Sequence, residues 1–131
     1  MTAPVNDLLT AIHARLTAEP GLAALLGDAI HDRRLNRTAM PYLVIGEAEA
    51  RDYSTSTEPG LEVLLTVEAW SAASRREAEE VAAIVRASLE DAQLFLEDVQ
   101  LISLSHQRTA SRREAKTALF VAEMRFRAVL E

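Results

Sequence analysis

The sequence predicts an α+β domain, with a mainly antiparallel sheet of four to five strands and helices packed on one face. Three observations support this prediction. Apolar residues recur every three or four positions in two segments, as they do in amphipathic helices. In other segments, β-branched residues or alternation between apolar and polar residues indicate strands. The predicted order is helix, hairpin, helix, hairpin, which favours helices covering one face of an antiparallel sheet.

Composition favours one domain spanning residues 1–131. Of these residues 49% are hydrophobic, enough to bury one continuous core, and no Gly/Ser-rich linker or internal repeat divides the chain. The absence of cysteine excludes disulfides and thiolate metal sites and suits a cytoplasmic protein. The formal net charge of -6 argues against broad nucleic-acid binding, which needs a basic face.

No membrane segment or targeting segment is expected. Residues 1–7 carry no basic region followed by an apolar run, so we expect no secretory signal. The longest apolar runs, such as residues 22–26, are far shorter than the ~20 residues that a membrane-spanning helix needs.

Two helical segments begin the chain. An apolar stripe indicates a helix over residues 5–16, formed by Val5, Leu8, Leu9, Ile12 and Leu16. Pro4 fits its first turn, where N–H groups lack partners, and the helix should stop before Pro20. Residues 22–26 add one or two turns, which Gly27 can close because glycine accepts a left-handed conformation.

A long hairpin follows. Residues 42–49 are rich in β-branched and aromatic side chains, and residues 61–71 alternate strictly, so both are predicted strands. The polar segment 51–60 between them is the predicted tip. Eleven residues at ~3.3 Å each span roughly 35 Å, so we expect part of this hairpin to project beyond the core.

A capped helix and a second hairpin complete the chain. Ser74 and Glu77 have the spacing of a capping box, in which each side chain accepts a backbone N–H of the other residue. The apolar stripe of the helix that follows consists of Ala78, Val81, Val85, Leu89 and Ala92. Residues 99–104 and 117–130 are the predicted strands, and the mostly basic segment 108–116 is the predicted loop between them.

The polar sides of two strands differ in charge. Glu62, Thr66 and Glu68 line one strand, whereas Glu123, Arg125 and Arg127 line another, so the two would be complementary as neighbours. Leu64 and Trp70 lie on the first of these sides. Large apolar residues on a polar sheet face indicate either contact with another subunit or ordinary exposed side chains.

The sequence contains no convergent catalytic constellation. His13, His31 and His106 lack a second histidine at metal-ligand spacing, and neither a nucleophile elbow nor a glycine-rich phosphate loop is present. Glu47 and Glu49 point to one side of a predicted strand, and together with His31 they are the starting point for an enzyme or ligand-binding alternative. We predict no catalytic, cofactor-binding or metal-binding residues.

Two basic clusters allow an electrostatic contact. The first consists of Arg33, Arg34 and Arg37, and the second of Arg108, Arg112, Arg113 and Lys116. They can serve loop solubility, or they can contact DNA phosphates or an acidic neighbour such as another copy of this chain.

Four stretches in order carry a family resemblance. They are residues 40–47 (MPYLVIGE), 51–55 (RDYST) leading to Gly60, 65–71 (LTVEAWS) and 123–127 (EMRFR). This ordered set resembles the small tail terminator, or tail completion, proteins of long-tailed phages, prophages and gene transfer agents. The resemblance covers residues 8–130.

The resemblance implies a virion structural protein without cofactors. Such a subunit joins a homo-oligomeric ring, usually a hexamer, that closes the head-proximal end of the tail tube and meets the head connector or stopper protein. DNA would pass through the lumen without sequence-specific recognition. The protein would assemble in the bacterial cytoplasm and be incorporated at the neck of a phage or gene transfer agent particle. A neck stopper or head-tail joining protein is the structural alternative.

Long hairpins suit the subunit contacts of a closed ring, because they can extend a sheet or wedge against a neighbour. The predicted interface residues therefore come mainly from the two hairpins, and they are Arg51, Asp52, Tyr53, Glu58, Leu64, Trp70, Arg108, Arg112, Arg113 and Lys116.

Overall fold

The computed structural model describes residues 3–27, 29–31 and 40–131. Its elements in chain order are α1 (Pro4–Thr17), α2 (Pro20–Leu26), β1 (Ile30–His31), β2 (Tyr42–Asp52), β3 (Leu61–Ser71), α3 (Arg75–Leu89), β4 (Leu101–Glu114) and β5 (Leu119–Leu130). This order confirms the predicted α+β class. Within the described ranges, no helix is long and apolar enough to cross a membrane.

The five strands form one sheet in the order β1-β2-β3-β5-β4. All neighbouring strands are antiparallel except β1 and β2, which are parallel, so the sheet is mixed. Helix α3 packs on β3, β4 and β5, and both α1 and α2 pack against α3. We call the side that α3 covers the helical face and the opposite side the open face.

The core lies between the helices and the helical face. Alternate residues of β3 and β5 point into it, as their period-two pattern predicts. The largest fully buried side chains are Tyr42, Phe126, Leu8, Ile12, Leu16, Leu22, Leu43, Leu65, Leu89, Leu104, Met124 and Leu130. Phe126 is opposite Leu65 of β3 and His106 of β4, and its ring meets the His106 ring edge-on with 5.5 Å between centroids.

Both hairpins carry shorter connections than predicted. Pairing of β2 with β3 reaches Asp52 opposite Leu61, so only residues 53–60 form the tip. Strand β4 continues to Glu114, and the turn covers residues 115–118, so the prediction of a loop over residues 108–116 was wrong. Alternation fails there because β4 is an edge strand, is largely exposed, and has register shifts between Leu101 and Ser103 and between His106 and Arg108.

The two hairpin ends lie at opposite ends of the sheet. The tip between β2 and β3 adjoins Leu61, which pairs with Leu130 of β5. The turn between β4 and β5 adjoins Phe120, which pairs with Ser71 at the other end of β3. Because β3 has eleven residues, roughly 30 Å separate the two ends.

Helix α3 begins with a variation on the predicted capping box. The Glu77 backbone N–H donates to the Ser74 hydroxyl at 3.0 Å, as predicted. The Glu77 carboxylate instead accepts from the Ser71 hydroxyl at 2.7 Å, and the Ser74 N–H donates to that same hydroxyl at 3.2 Å. Ser71 is thus placed between the two capping residues. The helix ends at Leu89, before the predicted Ala92.

Replacing Ser74 with alanine should lower the free energy of unfolding by about 1 kcal/mol, because the Glu77 N–H loses its acceptor. Urea unfolding followed by circular dichroism measures the change. The matched control is Ser56→Ala, which alters an exposed serine in the β2–β3 tip, away from any helix end. Equal stability of the two variants would show that the cap contributes nothing.

Candidate assembly surface

A cluster of mostly charged side chains lies on the open face at the tip end of the β2–β3 hairpin. Glu62 accepts a hydrogen bond from Arg51 Nε at Oε1 and another from Arg127 Nε at Oε2, both at 2.5 Å. The Arg127 guanidinium lies 5.3 Å from the centroid of the Tyr53 ring. We call Arg51, Tyr53, Glu62 and Arg127 the hairpin cluster.

Strand register brings this cluster together. Arg51 is directly opposite Glu62 in the β2–β3 pair, whereas Arg127 is opposite Leu64 and one diagonal step from Glu62. Diagonal neighbours across a sheet are within reach of long side chains. The cluster therefore ties three adjacent strands, β2, β3 and β5, through one carboxylate.

The Glu62 carboxylate is stabilised in its charged form although only 5% of its side chain is exposed. The hydrogen bond from Arg127 is the main reason that the pKa of Glu62 lies below its ordinary value of 4.5. Burial opposes this shift, and Arg51 adds to it through a hydrogen bond and its charge. Charge-assisted hydrogen bonds of this kind are stronger than neutral ones.

Glu62 should make stability depend on pH in the acid range. A carboxyl group whose folded-state pKa is depressed contributes stability that is fully present above its unfolded-state pKa. That contribution disappears as the pH falls through the folded-state pKa. The difference in unfolding free energy between wild type and Glu62→Gln should be constant from neutral pH to about pH 5 and shrink below 4.5.

Urea unfolding at a series of pH values measures this difference. Glu58→Gln removes an exposed carboxylate from the same hairpin and is the control, which should follow the wild-type curve. A Glu62→Gln curve that runs parallel to wild type down to pH 3 would contradict the assigned role.

The hairpin tip is ordered by its own hydrogen bonds. Asp52 Oδ1 accepts from the Ser54 N–H at 3.0 Å and from the Ser54 hydroxyl at 2.6 Å, and the hydroxyl contact is the main cause that lowers the pKa of Asp52. The Glu58 N–H donates to the Thr55 hydroxyl at 3.1 Å. Gly60 approaches Tyr53 so closely that a Cβ would lie 2.9 Å from its carbonyl oxygen. The tip therefore presents a defined shape.

An open groove of about 410 Å³ crosses the middle of the open face. Its lining includes Glu47 and Glu49 of β2, Leu64 of β3, Arg125 of β5 and Arg108 of β4. Leu64 is 42% exposed there, in agreement with its predicted place on the polar side of β3. The groove thus combines one apolar side chain with both signs of charge.

The predicted charge complementarity between β3 and β5 is found between diagonal neighbours, but not between residues that are directly opposite each other. The strands are neighbours, yet Glu68 is opposite Glu123 and Thr66 is opposite Arg125. Glu62 and Arg127 form the complementary diagonal pair. Glu123 also lies 3.8 Å from Arg112 of β4, so part of its charge is compensated from the other side.

The second basic cluster divides between two faces and a turn. Alternation along β4 places Arg108 and Arg112 on the open face, opposite Arg125 and Val121 of β5. Arg113 follows Arg112 directly and points to the opposite face, and Lys116 lies in the turn. The cluster that the sequence suggested is therefore not a single basic patch.

Trp70 does not lie at the surface of the isolated chain. It is only 3% exposed, although it shares the open-face side of β3 with Leu64, so the expectation that it lies on an exposed, polar face was wrong. Its pairing partners on either side, Tyr42 and Val121, are also buried. Both faces of the sheet are buried at this end, which an alternating pattern on a single strand does not indicate.

The residues of the enzyme alternative do not converge. His31 is level with Val44 of β2 and contacts the Tyr42 ring, whereas Glu49 pairs with Leu64, four residues from the Val44 partner Glu68 and therefore roughly 13 Å along the sheet. Within the described ranges, no group of three potential metal ligands occurs. The first basic cluster, residues 33, 34 and 37, lies outside the described residues.

Two features of the surface were not predicted from the sequence. Glu62 was predicted as a polar-side residue but not as the centre of an ion cluster, because its partners come from different strands. Phe95, in the segment between α3 and β4, is 91% exposed. Its segment has no periodic pattern that would separate an exposed phenylalanine from a buried one.

Comparison with known proteins identifies relatives over nearly the full length. The family model described as tail completion protein gp17 matches residues 10–131. A chain in a solved structure described as the virion of a native gene transfer agent particle is 28% identical. The superposition has a TM-score of 0.91 and covers 100% of this chain and 99% of that one. No curated protein sequence matches the chain.

Proposed function

Because this chain belongs to the tail completion protein gp17 family, it is a structural protein of a phage-type tail, and we propose that it is the tail terminator. In this role about six copies form a ring on the head-proximal end of the tail tube. The ring stops tube growth and provides the surface that joins the head connector. The observation that carries the proposal is the full-length match, at TM-score 0.91, to a chain of a gene transfer agent virion.

The arrangement of the sheet is compatible with this role. A ring subunit that sits between a tube and a connector needs two lateral surfaces for its neighbours and two axial surfaces for different partners. The outermost strands of the sheet are β1 and β4, and its hairpin ends lie roughly 30 Å apart at opposite ends of β3. The self-bonded tip of residues 53–60 is our candidate for one axial contact, and the turn of residues 115–118 is the candidate for the other.

The proposed DNA passage requires little specific recognition. The chain is acidic, with a net charge of -6, and the open-face groove carries both signs of charge. A lumen lined by an acidic chain with mixed surface charges lacks the continuous basic surface that holds DNA phosphates. DNA could therefore move through the ring without being retained.

A reconstitution experiment tests the proposal. Tail tubes and filled heads are purified from particles assembled without this protein, and tagged protein is added to each. We expect electron microscopy to show the tag at one end of each tube, and joined particles only when protein, tubes and heads are mixed. Native mass spectrometry of the recovered tube ends should give the number of copies.

The outcomes separate the structural candidates. Binding to filled heads but not to tubes would favour the neck stopper alternative. Binding to neither, under conditions where the parts from complete particles rejoin, would overturn the proposed role. A reproducible rise in melting temperature with a metal or nucleotide, abolished by Glu47→Gln, would instead support a ligand-binding protein.

A further inference from the structure

The two ends of the sheet differ in charge. Strand pairing places residues 50–63, 101–104 and 128–131 at one end, and the segment 91–100 is tied to them at both of its ends; we call this set the tip end. The tip end carries one basic side chain, Arg51, and seven acidic ones, Asp52, Glu58, Glu62, Asp91, Glu97, Asp98 and Glu131. Residues 69–76 and 111–122 lie at the opposite end, which we call the turn end. The turn end carries one acidic side chain, Glu114, and five basic ones, Arg75, Arg76, Arg112, Arg113 and Lys116.

The two ends also differ in exposed apolar side chains. Of the four large apolar side chains exposed on the described surface, Tyr53, Phe95 and Ile102 lie at the tip end, and Leu64 lies in the open-face groove. Phe95 is the most exposed of them, at 91%. Among the described residues, the turn end presents no exposed apolar side chain of this size.

An apolar groove of about 780 Å³ opens at the tip end, between residues 91–96 and residues 99–104. Eight of its twelve lining residues are apolar, and they include Phe95 and Ile102. Asp91 lines it as well, and Glu97 and Asp98 lie in the chain between the two lining segments. Exposed apolar surface with a polar rim marks protein interaction sites.

The segment that carries Phe95 is anchored on both sides. The Asp91 N–H donates to the Leu104 carbonyl at 3.1 Å, and Gln100 and Glu131 exchange backbone hydrogen bonds of 2.8 and 2.9 Å. The residue next to Phe95, a leucine, is buried at 6% exposure. The phenylalanine ring is therefore presented to solvent by a fixed segment.

We propose that the tip end is the docking surface for the end of the tail tube, and that the tube offers it an apolar contact surface rimmed by basic side chains. This inference rests on the proposed terminator function and names the partner of one axial surface. Aromatic side chains are enriched in the cores of protein interfaces, so Phe95 is the anchor that we assign to each copy. The acidic side chains around it favour a partner surface of opposite charge.

The apolar groove favours the tube over the head connector as its partner. On a tail that has not yet met a head, the terminator surface against the tube is covered, whereas the surface that will join the head is in solvent. Apolar patches repeated around a ring would join such tails to one another, whereas a surface of one charge sign keeps them apart and steers a large partner toward it. The basic turn end therefore fits the surface that waits for the head.

The charges disfavour a second copy of the chain as the axial occupant of the tip end. Contact between two tip ends would bring acidic side chains against acidic ones, which is unfavourable. Contact between the tip end of one ring and the turn end of the next would be complementary, but it would repeat along the axis without closing and give a filament of rings. Such growth is the opposite of termination.

Photo-cross-linking in complete particles tests this assignment directly. Benzoylphenylalanine is introduced in place of Phe95 or, as the matched control, in place of Lys116 in the turn, and mass spectrometry identifies the partner that is captured on irradiation. The probe at position 95 should capture the tail tube protein, and the probe at position 116 should capture a protein on the head side. Capture of another copy of this chain or of a head-side protein at position 95 would overturn the assignment. So would no capture at position 95 in particles where position 116 reacts.

Truncation and charge reversal at the tip end should weaken the capping of tubes. Phe95→Ala with Ile102→Ala and, separately, Glu58→Lys with Glu97→Lys should each lower the affinity for tube ends at least about tenfold, since every copy loses part of its contact. Electron microscopy of tube ends over a range of protein concentrations measures the occupancy, and thermal unfolding checks that each variant folds. Added salt should weaken wild-type binding and reduce its difference from the charge variant. At saturating protein, the capped ends should carry the wild-type number of copies, because contacts within the ring are unchanged.

Two control variants should cap tubes like wild type. Glu79→Lys with Glu80→Lys reverses the same number of charges at exposed positions of α3, outside the tip end. Arg113→Glu with Lys116→Glu reverses charges at the turn end and should reduce only the joining of heads.

The outcomes separate this inference from the terminator role. Wild-type capping by either tip-end variant would overturn the docking surface, and partial rings at saturating protein would assign the tip end to a neighbouring copy instead. In both cases the wild-type protein still caps tubes, so the terminator role stands. Wild-type protein that does not cap tubes would overturn the terminator role and this inference together.

Discussion

Replacing Phe126 with alanine is expected to lower the free energy of unfolding by ~3 to 5 kcal/mol, because the ring is fully buried and its loss leaves a cavity. Leu65 and the His106 ring flank it on the neighbouring strands, so the cavity lies between β3, β5 and β4. Urea unfolding followed by circular dichroism measures the loss. Assembly should decline only as far as the folded fraction does.

The matched control for this substitution is Phe95→Ala. It removes the same side chain from a site that is 91% exposed, so the unfolding free energy should change by less than about 0.5 kcal/mol. Similar losses at the two positions would contradict the described core. Weaker assembly of Phe95→Ala at unchanged stability would identify Phe95 as a further contact residue.

Trp70→Ala should also cost ~3 to 5 kcal/mol, although the sequence pattern placed this residue on the polar side of its strand. The indole is buried beside Tyr42 and Val121, and its N–H is 3.4 Å from a Glu68 carboxylate oxygen. Because Trp70 is the one tryptophan of the chain, the variant must be followed by circular dichroism instead of intrinsic fluorescence.

Leu64→Ala is the informative comparison on the same strand and the same side. Leu64 is 42% exposed, so its truncation should change the unfolding free energy by less than about 1 kcal/mol. A large loss of stability at Leu64, or none at Trp70, would contradict the burial described for this face. Wild-type assembly of Leu64→Ala would remove Leu64 from the predicted interface.

Local patterns predicted most of the elements. Strand β3 has the predicted bounds, residues 61–71, because strict alternation along one strand records which face is buried. Helix α1 begins at Pro4, and Gly27 follows α2 with a positive φ of 62°, as their helix-start and helix-stop signals indicated. These features depend on neighbouring residues in the chain, so a single sequence contains the information.

The edge strand β4 was not predicted in full for a physical reason. Alternation identifies a strand when one face is buried, but residues 108–114 are largely exposed and follow a register shift. The polar, basic composition therefore looked like a loop. Of the predicted interface residues, Arg108, Arg112 and Arg113 consequently lie on a strand, and only Lys116 lies in the turn.

The sequence by itself determined the fold class, the helix boundaries at their caps, the central strands, and the resemblance that pointed to a tail completion protein. Tertiary structure alone decided which strands are neighbours, and therefore that Glu62 joins Arg51 to Arg127 and that Trp70 is buried. It also decided that β1 and β4 are the outermost strands of the sheet. The physical reason is that periodicity records local burial, whereas strand order and register arise from contacts between residues far apart in the chain.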